Sequence, residues 1–280
     1  MGTRVISDTE AIGNARQYSC HVVDELASWE FEQHLHEGCC DLTFIYRGNL
    51  DQTVNGQRTR LAAGMLTFVR DGDLHSLRSR SLEMYTINFR PEVLAHTSCS
   101  LKLADRLSEI CSATAAPVFR TERSVRSDLL LDFRALLRNQ DRSEGPLLFE
   151  RFLNRWIFRV MTENPFIVKV QLPAWMSELL EYIEVNVERP VLVSDLARLA
   201  GKSTEHIARC FRSYLDTTPS QAINTARLQR AALLLSNTKR GILDICFSLG
   251  YNSVSYFYRL FSDEYSMTPH QFRRLNSTIS

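Results

Sequence analysis

VSDLARLAGKSTEHIARCFRSYLDTTPSQAI, at residues 193–223, returns roughly fifty residues later as ILDICFSLGYNSVSYFYRLFSDEYSMTPHQF, at residues 242–272. With one residue inserted at the turn, the two copies share a series of aligned pairs: Asp195 and Asp244, Ala197 and Cys246, Gly201 and Gly250, Ser203 and Ser253, Arg209 and Arg259, Phe211 and Phe261, Pro219 and Pro269, and Gln221 and Gln271. A chance likeness between two amphipathic helix pairs would not predict the same Gly, Arg, Phe and Pro in the same order. The pattern therefore indicates a duplicated structural unit.

Each copy has the physical features of a helix-turn-helix. A small residue four positions before a Gly lets a second helix cross closely, and the Gly permits the positive φ angle that ends the first helix. Ser203 and Ser253 are suitable N-caps for the second helix. The inward faces of the two second helices are Ile207, Cys210 and Phe211, and Phe257, Leu260 and Phe261.

The outward positions of these second helices are the candidate DNA-binding residues. A helix that presents Arg, His and Ser at its exposed first turns suits the major groove of DNA, whereas the simpler alternative is a helical bundle with Arg on its surface. Residues 189–280 contain 12 Lys and Arg against 6 Asp and Glu, which favours DNA. The predicted DNA-binding residues are Thr204, Glu205, His206, Arg209, Arg212, Val254, Ser255, Tyr258 and Arg259.

A third helix is predicted between the two units, over PSQAINTARLQRAALLLSN at residues 219–237. At 1.5 Å per residue, about 17 helical residues span about 25 Å. A rigid spacer of that length can hold two DNA-reading helices about one turn of DNA (~34 Å) apart.

These C-terminal residues resemble the DNA-binding module of AraC/XylS-type bacterial transcription regulators. The resemblance rests on ARLQRAALLLSNT at 226–238 and on the second repeat, extended to Arg273. It implies two helix-turn-helix units in adjacent major grooves, with Arg209 and Arg259 among the contacts. It also implies double-stranded operator or promoter DNA, a small-molecule effector and RNA polymerase as partners.

The N-terminal part of the chain is instead predicted to form short strands. Runs of β-branched and aromatic residues occur at 19–23, 41–46, 65–69 and 83–89, separated by turn residues. Asn55-Gly56 is a strong signal for a two-residue hairpin. The pattern predicts a small sandwich or barrel.

A second set of candidate functional residues lies within these strands: His34, His36, Asp41 and His75. Two His residues at i and i+2 of a strand point to one face, and a carboxylate and a third His could complete a site for Zn, Fe or Ni. HLHEGCCDLTFIYRG at 34–48 and GMLTFVRDGDLHSLRS at 64–79 resemble the two cupin motifs. The departures from those motifs are Asp41 for the usual Glu, Arg70 for the usual Pro and Ser79 for the usual Asn.

Two interpretations of this site stay open. A complete ligand set is compatible with a divalent metal, and hence with a metal-dependent cupin enzyme or a metal sensor fused to a DNA-binding domain. The resemblance to AraC/XylS regulators implies instead a barrel that holds an organic effector, which we expect to be a sugar, with no cofactor required. The arrangement, together with PAWM at 173–176, looks most like regulators of chitobiose-type disaccharide operons.

An αα-hairpin is predicted after the barrel, because apolar residues recur with helical spacing from Leu129 to Val160 and the break lies at residues 143–146. Its wide apolar stripe could pack on the barrel or against a second copy of the chain. We expect Leu129, Phe133 and Leu136 to lie at a homodimer interface.

The predicted fold class is therefore α+β: a cupin-like barrel with an αα-hairpin over residues 1–163, a linker over 164–173, and an all-α domain with two helix-turn-helix units over 174–280. Seven Cys without CxxC spacing argue against a disulfide framework or a zinc ribbon. An apolar run of about 20 residues and a signal peptide are both lacking, so we expect a cytoplasmic protein without a membrane partner. The sequence predicts a DNA-binding regulator rather than an enzyme, and does not distinguish an activator from a repressor.

Overall fold

The structure is a computed structural model that describes residues 3–14, 16–25, 28–113, 115–163, 172–215 and 217–276. The chain divides into two compact units, Met1–Gln171 and Leu172–Ser280. No described helix is both long and apolar enough to cross a membrane. Most of the predicted linker, 164–171, lies outside the described residues, so the predicted domain boundaries stay predictions.

The N-terminal unit is built from strands followed by helices. The described strands are β1 Arg4–Ser7, β2 Tyr18–Glu25, β3 Trp29–Glu37, β4 Cys40–Val54, β5 Gln57–Ala62, β6 Met65–Val69, β7 Leu74–Ser79, β8 Leu82–Phe89 and β9 Val118–Arg120. The described helices are α1 Asp8–Ala11, α2 Pro91–Ser100, α3 Ala104–Ser112, α4 Arg123–Asn139 and α5 Gly145–Glu163. All four runs that the sequence predicts as strands lie in β2, β4, β6 and β8.

The strands form two sheet layers, which together are called the half-barrel below. The long strand β4 joins these two layers. Its first half pairs with β6 and β8, and its second half pairs with β5 and β7. The pairing with β8 shifts register between Ile45 and Arg47, just before Gly48 with φ +84°. This bulge lets one strand serve both layers. At the far end of β4, Asn55 and Gly56 both have positive φ, as the predicted hairpin turn requires.

The half-barrel has one face on a cavity and another on helices α4 and α5. Successive side chains of β8 point to the two faces in turn. Met84, Thr86 and Asn88 line the cavity, whereas Tyr85 and Phe89 belong to the hydrophobic core that α4 and α5 cover. The barrel's outer face and the helical hairpin are thus held together by a single core.

The prediction that the apolar face of α4 forms a homodimer interface is wrong. Leu129, Phe133 and Leu136 are at most 1% exposed, and all three belong to the core between the barrel and the helices. Phe133 packs on Phe44 of β4, with ring centroids 5.8 Å apart. A side chain already enclosed by its own subunit has no surface to offer a second copy.

The C-terminal unit is entirely helical within its described residues. Its helices are α6 Ala174–Val185, α7 Val193–Ala200, α8 Thr204–Leu215, α9 Pro219–Asn237, α10 Ile242–Ser248, α11 Val254–Tyr265 and α12 Pro269–Asn276. Helix α9 packs against α6, α8, α10, α11 and α12, so the predicted spacer is the central helix of this unit. The predicted α+β class, with a barrel domain before an all-helical domain, is confirmed.

The repeat is also visible in the helix caps. Thr218 and Gln221 exchange hydrogen bonds between side chain and backbone at the start of α9, and Thr268 and Gln271 do the same at the start of α12. Each pair is a capping box, which satisfies two backbone N–H groups that the helix leaves free. The two copies therefore end with the same local structure.

Candidate effector site and nucleic-acid interface

The half-barrel forms an open cavity of about 330 Å³. It is lined on the strand side by β2, β3, β4, β6, β7 and β8, and on another side by Ile6, Glu10 and Ala11 from the N-terminal segment and α1. Its wall combines apolar and aromatic side chains with amide, hydroxyl, imidazole and carboxylate groups. This mixture is typical of a small-molecule site.

The predicted residues His34, His36, Asp41 and His75 all line this cavity. Candidate ligand atoms of the three His residues lie within 4.8 Å of one another. The Nε2 atom of His36 is 3.0 Å from Oδ2 of Asp41, and that of His75 is 3.7 Å from the same oxygen. The structure therefore brings together residues that are up to 41 positions apart in the sequence.

Hydrogen bonds to the backbone orient two of the rings. His34 places Nδ1 2.8 Å from the carbonyl oxygen of Glu32, and His75 places Nδ1 3.4 Å from that of Asp73. A carbonyl only accepts, so in both rings Nδ1 carries the proton and Nε2 keeps its lone pair. Such an outer contact is the usual way in which a metal-binding His is oriented.

Burial and neighbouring charges set the protonation of the cluster. Burial lowers the pKa of His34 to about 4, aided by the charge of His75, and burial also lowers the pKa of His75. Burial alone would raise the pKa of Asp41, but the hydrogen bond from His36 and the charges of His36 and His75 outweigh it and hold that pKa low. At neutral pH, two imidazoles are thus neutral beside an ionised carboxylate.

Sequence reasoning missed several polar groups of the cavity. Beside the cavity, Cys39 is fully buried, and its thiol lies within 4.8 Å of candidate ligand atoms of His36 and Asp41. Among the described residues, Oε1 of Gln52, Oγ1 of Thr67 and Nδ1 of His36 are buried without a hydrogen-bond partner. The period-2 pattern of β4 and β6 could have placed Gln52 and Thr67 on one face of each strand, but nothing local shows that these faces meet.

The C-terminal unit contains two helix-turn-helix units as predicted. Gly201 and Gly250 have φ angles of +61° and +78°, and each lies at the turn between the two helices of its unit. Ser203 accepts a hydrogen bond from the backbone N–H of His206, and Ser253 accepts one from that of Tyr256. Helices α8 and α11 are therefore capped by the predicted residues.

Four of the six predicted inward positions of α8 and α11 are buried, Cys210 and Leu260 are partly buried, and none of the predicted DNA-facing positions is buried. Ile207, Phe211, Phe257 and Phe261 have no exposed surface, whereas Arg209 and Arg259 are exposed. The remaining predicted positions are also exposed or partly exposed: Thr204, Glu205, His206, Arg212, Val254, Ser255 and Tyr258. Hydrogen bonds with its own backbone and with Ser203 lower the pKa of Glu205, so it can only accept from a base.

Two family models match the chain: an AraC-like ligand binding domain over residues 17–152 and a Helix-turn-helix domain over residues 196–275. The HTH-type transcriptional activator RhaR of Klebsiella pneumoniae is 27% identical over 278 residues, which cover 96% of this chain and 93% of RhaR. The regulatory protein SoxS of Salmonella typhimurium is 35% identical over 95 residues, which cover 34% of this chain and 89% of SoxS. The chain belongs to the AraC family of transcription regulators. A crystal structure of ToxT from Vibrio cholerae aligns with 94% of this AraC-family chain and 99% of ToxT at 13% identity, with a TM-score of 0.42.

Membership of the AraC family decides whether the chain is a transcription regulator or an enzyme, a choice that the sequence motifs of the N-terminal site left open. The chain is a DNA-binding transcription regulator with an N-terminal ligand-binding domain, and not an enzyme.

Proposed function

We propose that this AraC-family regulator binds a sugar in the cavity of its half-barrel and responds by changing how its two helix-turn-helix units engage operator DNA. The observation that carries the sugar proposal is the set of buried polar atoms at Gln52, Thr67 and His36 that have no hydrogen-bond partner among the described residues. Leaving such groups unpaired costs free energy, and a ligand with hydroxyl groups would satisfy them.

Aromatic side chains in the same cavity supply the complementary surface. The rings of Trp29 and Phe31 both line it and lie nearly parallel, with centroids 6.1 Å apart and an interplanar angle of 6°. Aromatic rings together with hydrogen-bonding groups in one cavity suit a sugar ring, which has C–H faces and a rim of hydroxyl groups. The volume lies near the lower end of about 300–1,000 Å³ for small-molecule sites, which limits the effector to a small molecule. The resemblance to chitobiose-type regulators points to the same class.

A thermal-shift screen of mono- and disaccharides tests the sugar proposal. A binding sugar raises the melting temperature of the full-length protein in a concentration-dependent way. Thr67→Val removes one unpaired hydroxyl with little change in shape, so the affinity should fall about tenfold. Thr53→Val is the matched control, because Thr53 lies beside Gln52 on β4 but does not line the cavity. A panel without any binder, or equal effects of the two variants, would count against the sugar.

The DNA contacts are proposed for the exposed positions of α8 and α11. Arg209 and Arg259 occupy equivalent places in the two repeats, and a bidentate contact between Arg and guanine contributes about 1–3 kcal/mol of discrimination. We expect Arg209→Ala and Arg259→Ala each to weaken binding about tenfold or more on a duplex that the wild-type protein selects from a randomised library. Arg138→Ala, at an exposed position on α4, is the control. Equal losses on selected and scrambled duplexes would reveal phosphate contacts instead.

Three further features are part of the proposed function. The regulator is proposed to act in the cytoplasm, to contact RNA polymerase and to bind DNA as a homodimer, now without an assigned dimer surface. Sedimentation equilibrium, with and without the sugar found by the screen, tests the homodimer. A monomer under both conditions would overturn it.

A metal-sensing role is the second candidate function, and the histidine cluster favours it specifically. Neutral His34 and His75, with Nε2 lone pairs, and ionised Asp41 need to lose no proton before they bind a cation. The Nδ1 atom of His36, which has no hydrogen-bond partner among the described residues, adds a further nitrogen ligand. Three imidazoles with a carboxylate suit Zn²⁺, Fe²⁺ or Ni²⁺.

Metal analysis separates the two candidates. Protein incubated with Zn²⁺ and then desalted should retain close to one equivalent if the cluster is a metal site. His75→Ala should lose that equivalent, whereas His270→Ala, in the helical unit, should keep it. A wild-type protein that retains no metal after this treatment would leave the sugar site as the function of the cavity.

A further inference from the structure

Arg209 and Arg259, the aligned Arg residues of the two repeats, each contact an aromatic ring three residues earlier in the same helix. In α8, Nη2 of Arg209 lies 3.0 Å from Nδ1 of His206. In α11, the guanidinium carbon of Arg259 lies over the ring of Tyr256, 5.3 Å from its centroid. The alignment of Ser203 with Ser253 puts both pairs at the same place in the repeat. Residues three apart in a helix are neighbours, so each ring can reach its Arg.

The hydrogen bonds of His206 define the orientation of its ring. Arg has only donors, so Nδ1 of His206 must accept from Arg209 and the proton must lie on Nε2. That Nε2 atom is 3.5 Å from the thiol sulfur of Cys210, one turn further along α8. The ring of Trp175 from α6 packs alongside, with centroids 5.9 Å apart. His206 is thus fixed by neighbours on both its nitrogens and on its ring.

The ring of Tyr256 holds Arg259 through a different interaction. A guanidinium over an aromatic face is attracted by the electron-rich ring, and the contact does not use the N–H groups that face outward. The ring centroid of Tyr256 lies 6.4 Å from that of Tyr251, a buried residue next to the turn at Gly250. The two repeats therefore reach the same arrangement of Arg by different chemistry.

An exposed Arg that is held in place loses less conformational freedom on binding than one that samples many rotamers. One contact to His206 still leaves four of the five N–H donors of Arg209 for a base. We propose that His206 and Tyr256 are positioning residues that aim Arg209 and Arg259 at DNA base edges and so set the sequence preference of the two units. This inference rests on the proposed DNA contacts of the two Arg residues.

A double-mutant cycle on α11 provides the sharpest test. The probe is a fluorescent duplex selected by the wild-type, full-length protein from a randomised library, and the readout is affinity by anisotropy. Tyr256→Leu should weaken binding about two- to fivefold, the range expected for an exposed cation–π contact. In the Arg259→Ala background the same substitution should have no further effect. Tyr256→Phe, which keeps the aromatic face, should retain the wild-type affinity.

A parallel cycle tests α8. His206→Leu removes the acceptor for Arg209 and should weaken binding about two- to tenfold, as expected for the loss of one hydrogen bond. His206→Asn places an amide oxygen near the position of Nδ1 and should restore most of the affinity. In the Arg209→Ala background, His206→Leu should again change nothing. Circular dichroism of every variant checks that the helical unit still folds.

The possible failures are distinguishable. If Arg209→Ala and Arg259→Ala leave affinity unchanged, the proposed DNA contacts are wrong, and the positioning role falls with them. If the Arg variants bind weakly but Tyr256→Leu and His206→Leu bind as wild type, only the positioning role is overturned. It is also overturned if the two Leu variants lose the same affinity in the presence and absence of their Arg, because the rings would then contact DNA themselves.

Discussion

Tyr18 on β2 donates a hydrogen bond from its hydroxyl group to the carbonyl oxygen of Leu136 on α4, 3.1 Å away. Both side chains are at most 1% exposed, and the ring of Tyr18 also stacks on Phe149 of α5, with centroids 4.6 Å apart. The helical hairpin is thus fastened to the outer face of the half-barrel by a polar contact inside an apolar core. The hairpin and the barrel form one folding unit.

Charged substitution of Leu136 should therefore destabilise the N-terminal unit rather than release a folded monomer. An unpaired carboxylate in this core has no compensating partner, and we expect Leu136→Asp to lower the free energy of unfolding by about 4 kcal/mol or more. Leu131→Asp on the same helix is the control, because Leu131 is 60% exposed. Urea unfolding gives the stability and sedimentation gives the mass. A stable, folded Leu136→Asp monomer would restore the interface assignment.

A buried carboxylate provides a second link between barrel and hairpin. Glu83 on β8 is 3% exposed, pairs with Arg47 and lies 3.4 Å from Arg134 of α4. It also accepts a hydrogen bond of 2.7 Å from Tyr85. Glu83 is buried, but its Arg partners keep part of their hydration, so the relevant scale is that of hydrogen bonds to a charged group, about 1.5–3 kcal/mol.

We expect Glu83→Gln to show a loss in that range in urea unfolding. Glu30→Gln is the comparison, since Glu30 pairs with Arg78 at the surface, where both side chains are more than half exposed. Surface pairs contribute at most about 1 kcal/mol. Similar losses for the two variants would show that burial adds nothing to this ion pair.

Local sequence signals predicted the parts of the fold that are defined by local geometry. Asn55-Gly56 indicated its hairpin because positive φ at two successive residues restricts the residue types. Gly201 and Ser203 indicated the turn and the cap of α8 in the same way. The duplication helped further, because each unit provided a check on the other.

Long-range relationships could not be predicted in this way. The helical period showed that Leu129, Phe133 and Leu136 share an apolar face, but periodicity does not say what covers it. His34 and His36 were predicted to share one face from their spacing on a strand, whereas the likeness to the two cupin motifs supported adding the distant His75. Gln52 and Thr67 belong to no motif, and only the pairing of distant strands brings them to the same cavity.

Alkaline pH should unfold the N-terminal unit through its buried tyrosines. Burial raises the pKa of Tyr18 to about 12 and, together with the hydrogen bond to Glu83, that of Tyr85 to about 12, against about 10 in an unfolded chain. Above pH 10 the unfolded chain loses these protons while the folded one keeps them. Their contribution is therefore complete below about pH 10 and is lost as the pH rises towards about 12.

The measurement is urea unfolding at a series of pH values between 9 and about 12. We expect Tyr18→Phe to have a shallower loss of stability over that range than the wild-type protein. At neutral pH the same variant should be less stable by about 1 kcal/mol, because its hydrogen bond to Leu136 is gone. Tyr256→Phe, at an exposed position in the helical unit, is the control. Identical slopes for Tyr18→Phe and wild type would contradict the prediction.

Two glycines with positive φ should respond very differently to the same change. At Gly48, with φ +84°, a Cβ would overlap the carbonyl oxygen of Ser81 and come within 2.8 Å of the Cα of Leu82. Both are backbone atoms at the start of the paired strand β8, one in Leu82 and one in the residue just before it, so neither can move aside, and Gly48→Ala should cost more than about 3 kcal/mol. At Gly201, with φ +61°, no described atom lies within 4 Å of such a Cβ. Gly201→Ala should therefore cost only the backbone strain of about 1–2 kcal/mol. Gly201→Asn should recover part of that loss, because Asn tolerates this conformation.

Hydrogen exchange of the full-length protein, read peptide by peptide, assigns each loss to its own unit. A Gly48→Ala protein as stable as Gly201→Ala would mean that β4 and β8 separate easily at the bulge, and that β4 does not rigidly join the two sheet layers.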